Sequence, residues 1–277
     1  MFEPGVFEPG VMFWAERDDL EVIGALGVRY GQLGILGGME LGAAAAEQWK
    51  NDLAHAGLTV VTVFAAYDGE DYADIPTVQR TVGFVPPSTR ASREARTLAV
   101  SDFAARLGVG SIACHIGFVP EEAGDADYIA VRDMVRRVCD HAAGHGQSFA
   151  LETGQEPAAV LSAFIRDVDR PNLRINFDPA NLILYGTGEP IAALQALAPL
   201  VVSVHCKDGD WPPAGVHGAL GSEKALGKGS VGIPRFVETL RELGFRGPLN
   251  VEREMEDQAR RIREIAEGIA LLRTLLV

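Results

Sequence analysis

Eight short apolar runs recur along the chain, each separated from the next by a longer stretch with helical character. The runs fall at 10–14, 28–33, 58–65, 110–116, 148–153, 173–178, 201–207 and 248–253. Between them, 42–56, 127–143, 156–168 and 234–243 carry apolar residues at helical spacing. The clearest face comes last, with Ile262, Ile265, Ile269, Leu272 and Leu276 three to four residues apart. Gly57, Gly108, Gly146 and Gly244 follow helical stretches, where a C-terminal cap needs positive φ. Pro157, Pro190 and Pro234 stand where helices should begin. Strands alternating with helices make a parallel sheet, and eight such units with no strand left over close into a (β/α)₈ barrel. All 277 residues are expected to form that single domain.

Two stretches break the cycle, 68–92 after the third run and 206–229 after the seventh. The first is polar and proline-containing, and is expected to be a long loop framing or covering a site. The chain opens with a repeat, Phe-Glu-Pro-Gly-Val at 2–6 and again at 7–11, read as a frayed or duplicated leader.

Bulk properties exclude several classes. A net charge of −13 repels phosphate backbones, so nucleic acid is not an expected partner. No apolar run approaches the length of a membrane span, and no basic-then-apolar segment resembles a signal peptide. Cys114, Cys139 and Cys206 are odd in number and lack CxxC spacing, which suits reduced thiols in the cytoplasm.

In a barrel the C-terminal ends of the strands share one mouth, where active sites form. The fifth run ends Phe-Ala-Leu-Glu152, the sixth Ile-Asn-Phe-Asp178, the seventh Val-Ser-Val-His205 and the eighth Leu-Asn-Val-Glu252. Three carboxylates cannot crowd one dry mouth unless a cation or protons offset their repulsion. One divalent ion held by Glu152, Asp178, His205 and Glu252 is the economical solution. Its mix of hard oxygen and one imidazole suits Mn²⁺, Mg²⁺ or Co²⁺, and admits Zn²⁺.

Other residues near the mouth are open to two readings each. His115, ending the fourth run, either binds substrate, orients a ligand or fills the core. Lys207 shares a strand face with His205 and either meets an oxyanion or neutralises Glu252. Trp14 and Trp211 either stack on a sugar or simply pack. Asn181, Gln155 and Arg253, beside the expected ligands, complete the candidate substrate-binding set. Gly227-Lys228-Gly229 lies where barrels often bind phosphate, without a full phosphate-loop pattern.

Leu-Glu152-Thr-Gly-Gln155-Glu, Asn-Phe-Asp178-Pro-Ala-Asn181-Leu, His205-Cys-Lys207-Asp208-Gly, Leu226-Gly-Lys-Gly-Ser-Val-Gly and Gly244-Phe-Arg-Gly-Pro-Leu-Asn-Val-Glu252-Arg253-Glu together resemble the xylose isomerase-like barrel superfamily, in its sugar phosphate isomerase/epimerase branch. The resemblance covers nearly the whole chain. It implies the same four ligands, with Glu152 and Glu252 also moving protons, and a homodimer or homotetramer. One departure stands out: many of those epimerases carry Asp-x-x-His where this chain has Asp178 followed by Asn181.

The expected function is isomerisation or epimerisation of a small polyhydroxylated carbonyl compound through an enediolate, with Glu152 and Glu252 as the acid–base pair. A lyase or hydrolase acting on a keto-sugar or cyclitol uses the same enolate chemistry. A DNA-repair endonuclease shares the barrel, but Asn181 and Gly215-Val216-His217 depart from the histidines such a three-zinc site needs. A non-catalytic sugar-binding barrel is the remaining alternative.

Overall fold

The computed structural model of the protein describes residues 6–277, so most of the first copy of the Phe-Glu-Pro-Gly-Val repeat lies outside the described residues. Eight parallel strands close into a barrel: β1 (Pro9–Trp14), β2 (Tyr30–Ile35), β3 (Thr59–Ala65), β4 (Ser111–Cys114), β5 (Ser148–Glu152), β6 (Leu173–Phe177), β7 (Val201–Cys206) and β10 (Leu249–Val251). Closure is made by β1, which pairs with β2 on one side and β10 on the other. An antiparallel pair outside the barrel, β8 (Asp208–Asp210) and β9 (Ser222–Lys224), organises the segment after β7.

Because strand side chains alternate, each strand serves two cores. Val11, Phe13, Val63, Ile112, Phe149, Leu151, Ile175 and Val204 join the large shell packed between strands and helices. Met12, Phe64, Ala113 and Ala150 form a separate cluster inside the barrel. On the same inner face lie Gln32, Asn176 and His205, all buried.

The helices begin and end on the expected signals. Pro190 opens the helix Pro190–Leu197, and Asp257 caps Gln258–Leu275 by accepting from the Arg260 backbone N–H at 3.0 Å. The helix Pro87–Leu107 ends at Gly108, whose φ of 79° is the left-handed conformation a side chain resists.

Two expectations need correcting. Residues 68–92 are not one irregular loop: Asp74 caps a short helix, Ile75–Thr81, and Pro87 starts the long helix Pro87–Leu107. The second strand is Tyr30–Ile35, two residues later than its apolar pattern suggests. Its sequence, Tyr-Gly-Gln-Leu-Gly-Ile, has glycine at two positions and so carries little register information.

Candidate active site

Glu152 ends β5, Asp178 follows β6, His205 lies near the end of β7 and Glu252 follows β10. Each offers one ligand atom, and the four atoms lie within 4.8 Å of one another. His205 Nδ1 stands 2.9 Å from Glu152 Oε1, 2.7 Å from Glu252 Oε2 and 4.0 Å from Asp178 Oδ2.

Neighbouring side chains fix the directions of these groups. Gln32 on β2 is fully buried, and its Oε1 sits 3.0 Å from His205 Nε2 while its Nε2 donates to Asn176 Oδ1 at 2.9 Å. Asn176 in turn donates to Glu152 Oε2, which leaves Glu152 Oε1 facing the centre. Asp178 caps the helix Pro179–Tyr185: its Oδ1 accepts from the backbone N–H groups of Ala180 (2.7 Å) and Asn181 (3.1 Å). Its Oδ2, turned inward, has no hydrogen-bond partner, and neither has Glu252 Oε2 despite its closeness to His205.

With the Nε2 proton committed to Gln32, neutral His205 turns a lone pair at Nδ1 toward three carboxylate oxygens. Four lone-pair atoms converging in a buried space repel one another unless a cation or proton lies between them. The pKa directions express the same demand. Burial opposes charge on His205, yet Glu152 and Glu252 hold its pKa well above the ordinary imidazole range. Burial pushes Asp178 up, whereas His205 and Lys207 overcome burial and hold Glu252 below the usual carboxylate range. Two orphaned carboxylate oxygens and a mixed oxygen–nitrogen set fit one divalent cation.

The quartet opens onto a cavity of about 410 Å³. Trp14, His115, Asn181, Lys207, Glu152, His205 and Glu252 line it. Asp178 sits behind them, fully buried. Lys207 Nζ lies 3.4 Å from Glu252 Oε1, 3.6 Å from Glu223 Oε2 and 3.8 Å from Asp178 Oδ2. Asn181 Nδ2 is 3.4 Å from Glu152 Oε1. Its helix approaches β5 so closely that a Cβ at Gly154 would lie 2.6 Å from the Asn181 Cβ. His115 packs edge-on against Phe64 at 5.7 Å, and burial lowers its pKa, favouring the neutral ring. Trp14 donates from Nε1 to Glu254 Oε1 at 2.7 Å, and Glu254 is also paired with Arg17.

Three expected substrate contacts fall elsewhere. Gln155 is buried behind His115, its Nε2 3.3 Å from Nδ1, and holds that ring rather than lining the cavity. Arg253 follows Glu252 and so points the other way, where it pairs with Glu223 (2.8 Å) and Glu264 (2.6 Å). Trp211 is 39% exposed and does not line the cavity, because it follows β8, outside the barrel.

Sequence reading missed Gln32 and Asn176, polar residues in mid-strand, and the cavity walls Glu70, Tyr72 and Glu223. Glu70 and Tyr72 come from the segment after β3, and Glu223 from β9, so the irregular stretches do frame the mouth. The Gly227-Lys228-Gly229 turn has its anion already. Asp208 accepts from the backbone N–H groups of Gly209, Gly227 and Gly229 at 2.9 Å and of Val231 at 3.1 Å.

Comparison with known proteins agrees with this architecture. A solved xylose isomerase domain protein from Planctomyces limnophilus is 44% identical, with a TM-score of 0.94 over 98% of this chain and 97% of that one. Two others share the fold at lower identity. One is a xylose isomerase-like TIM barrel protein from Mycobacterium smegmatis in complex with magnesium (19%, TM-score 0.68, 93% of this chain and 86% of that one). The other is the 3-keto-D-glucoside 4-epimerase YcjR from E. coli (17%, TM-score 0.69, 97% and 99%). A rhizopine catabolism protein, MocC, of Rhizobium meliloti is 30% identical over 138 residues, 45% of this chain, and the chain spans 41% of that relative's length. No described helix is long and apolar enough to cross a membrane. Residues 20–275 match the family directly, and the chain belongs to the xylose isomerase-like TIM barrel proteins.

Proposed function

We propose that the protein is a divalent-metal-dependent isomerase or epimerase of a small, unphosphorylated keto-sugar or sugar-like polyol. The observation that carries this reading is the quartet itself: four convergent lone-pair atoms, two of them orphaned, at the floor of a cavity sized for a small sugar. The sugar epimerase among the proteins of this fold supports the same reaction type.

Glu152, Asp178, His205 and Glu252 would hold the cation. When bound, it supplies Lewis-acid polarisation of a carbonyl, which makes the neighbouring C–H acidic. Glu152 or Glu252 takes that proton, and the other returns one from the opposite face or to the adjacent carbon. Lys207 has its ammonium poised between Glu252 and the cavity, where it stabilises negative charge developing on a substrate oxygen. His115, with Nδ1 held by Gln155, presents Nε2–H as a donor, and Asn181 offers its amide to a hydroxyl.

Two observations argue against a phosphorylated substrate. The N–H groups of the glycine turn are already filled by Asp208. Five glutamates line the cavity, and among its described lining residues Lys207 is the only lysine or arginine. A phosphate dianion would meet net repulsion there.

The experiment is solvent-deuterium incorporation into a panel of ketoses and their 6-phosphates by Mn²⁺-loaded protein. Exchange into a free ketose, lost in both Glu152→Gln and Glu252→Gln, is expected. The 6-phosphate should react at least about tenfold more slowly, the factor for 1.4 kcal/mol of repulsion. Near-normal turnover by both variants with metal bound would overturn the acid–base assignment. Dehydrated or cleaved product would mark a lyase instead.

A further inference from the structure

Away from the mouth, on the barrel's outer wall, the helix Pro87–Leu107 packs against the helix Ala126–Gly144. Asp102 on the first faces His141 on the second and His145 just past its end. Both imidazole Nε2 atoms lie 2.8 Å from one oxygen, Asp102 Oδ1. The two rings meet edge to face with centroids 5.3 Å apart. His141 and His145 are four residues apart, so the final turn projects both the same way. That turn is also the negative end of a helix dipole, which favours a cation.

The arrangement has three ligand atoms and neither lysine nor arginine among its members. The atoms all lie within 4.8 Å of one another. Two ligands bound to one ion at about 2.0–2.1 Å in a tetrahedron sit about 3.3 Å apart. That is a few tenths of an ångström beyond the 2.8 Å found here, within reach of small rotations of partly exposed side chains (32%, 35% and 39%). We propose that Asp102, His141 and His145 form a second metal site, separate from the barrel mouth, for a borderline divalent transition ion such as zinc.

Two imidazoles and one carboxylate select zinc, copper, nickel or cobalt over magnesium and calcium, whose preference is for oxygen alone. The ion takes the place of the two Nε2 protons that now share Asp102 Oδ1; each neutral ring then carries its single proton on Nδ1, and a water completes the fourth position. The ion cross-links the helices that follow β3 and β4, so its role is structural and the substrate never meets it.

The test is calorimetric titration of the untagged full-length chain with zinc, in parallel with a His141→Ala/His145→Ala double variant and with a Glu152→Gln/Glu252→Gln double variant. The parent is expected to bind one more zinc per chain than the histidine variant, whose folding is checked by circular dichroism. The glutamate variant is expected to keep the helix-bound zinc whether or not the mouth binds metal. Electron paramagnetic resonance of Cu²⁺ on that glutamate variant should show two nitrogen ligands, and removal of both histidines from it should abolish that two-nitrogen pattern. Equal zinc stoichiometry for parent and histidine variant overturns the proposal.

Discussion

Gln32 is the residue on which the orientation of His205 depends, and replacing it with methionine tests the whole arrangement. Methionine nearly matches its volume, so packing loss is small. What is lost is polar: the acceptor 3.0 Å from His205 Nε2 and the donor 2.9 Å from Asn176 Oδ1. Asn176 Oδ1 still has Ser203 as a partner, whereas His205 is left with one buried N–H unpaired. Such a group costs about 1–3 kcal/mol of folding free energy. Released from Gln32, the ring no longer holds Nδ1 toward Glu152 and Glu252. Loss of the group that orients a metal-binding histidine lowers affinity by about 10–100-fold, or about 1.4–2.7 kcal/mol. Calorimetric Mn²⁺ titration measures the affinity, and urea unfolding of the metal-free protein measures the stability. Unchanged Mn²⁺ affinity in Gln32→Met would show that His205 needs no such support or is no ligand.

Two further predictions concern the surroundings. Glu156 is buried beneath the segment after β4, and burial raises its pKa to about 7 from an ordinary 4.5. The folded state therefore holds this proton more tightly than the unfolded chain, so the group favours folding least where both forms are ionised. Stability is lost as pH rises from about 4.5 to about 7 and is flat above. Relative to Glu156→Gln, the parent should lose about 2 kcal/mol between pH 5.5 and 8, about 4 °C in Tm; parallel curves for the two proteins would show the shift is absent. Asp208→Asn leaves one oxygen for four backbone donors, removing two hydrogen bonds at about 1–3 kcal/mol each. Amide hydrogen exchange should accelerate selectively at two or more of Gly209, Gly227, Gly229 and Val231, and unchanged protection would contradict the proposed anchoring.

The barrel was legible because its period is long and redundant. Strands β3, β5, β6 and β7 are built mainly of apolar residues, and a shift in any one would leave a helix without a partner. The quartet was legible for a related reason: Glu152, Asp178, His205 and Glu252 end four consecutive strands, so closure alone gathers them. Gln32 and Asn176 were not legible, because a polar residue amid a strand reads as facing water until closure turns it inward. Arg253 and Trp211 failed in the opposite way. Nearness to a strand end suggested the mouth, but pleating turns Arg253 outward, and the β8–β9 pair carries Trp211 outside the cavity. Glu223 could not be read at all: it reaches Lys207 because β9 folds back against β8 and sets Glu223 opposite Gly209.

The central claim is that the four strand-end residues hold one divalent cation, and the anomalous difference map of Mn²⁺-soaked crystals tests it most directly. The account predicts a strong peak among Glu152 Oε1, Asp178 Oδ2, His205 Nδ1 and Glu252 Oε2, about 2.0–2.3 Å from each. A map with no peak at that point, while the same crystals bind Mn²⁺ elsewhere or not at all, contradicts it.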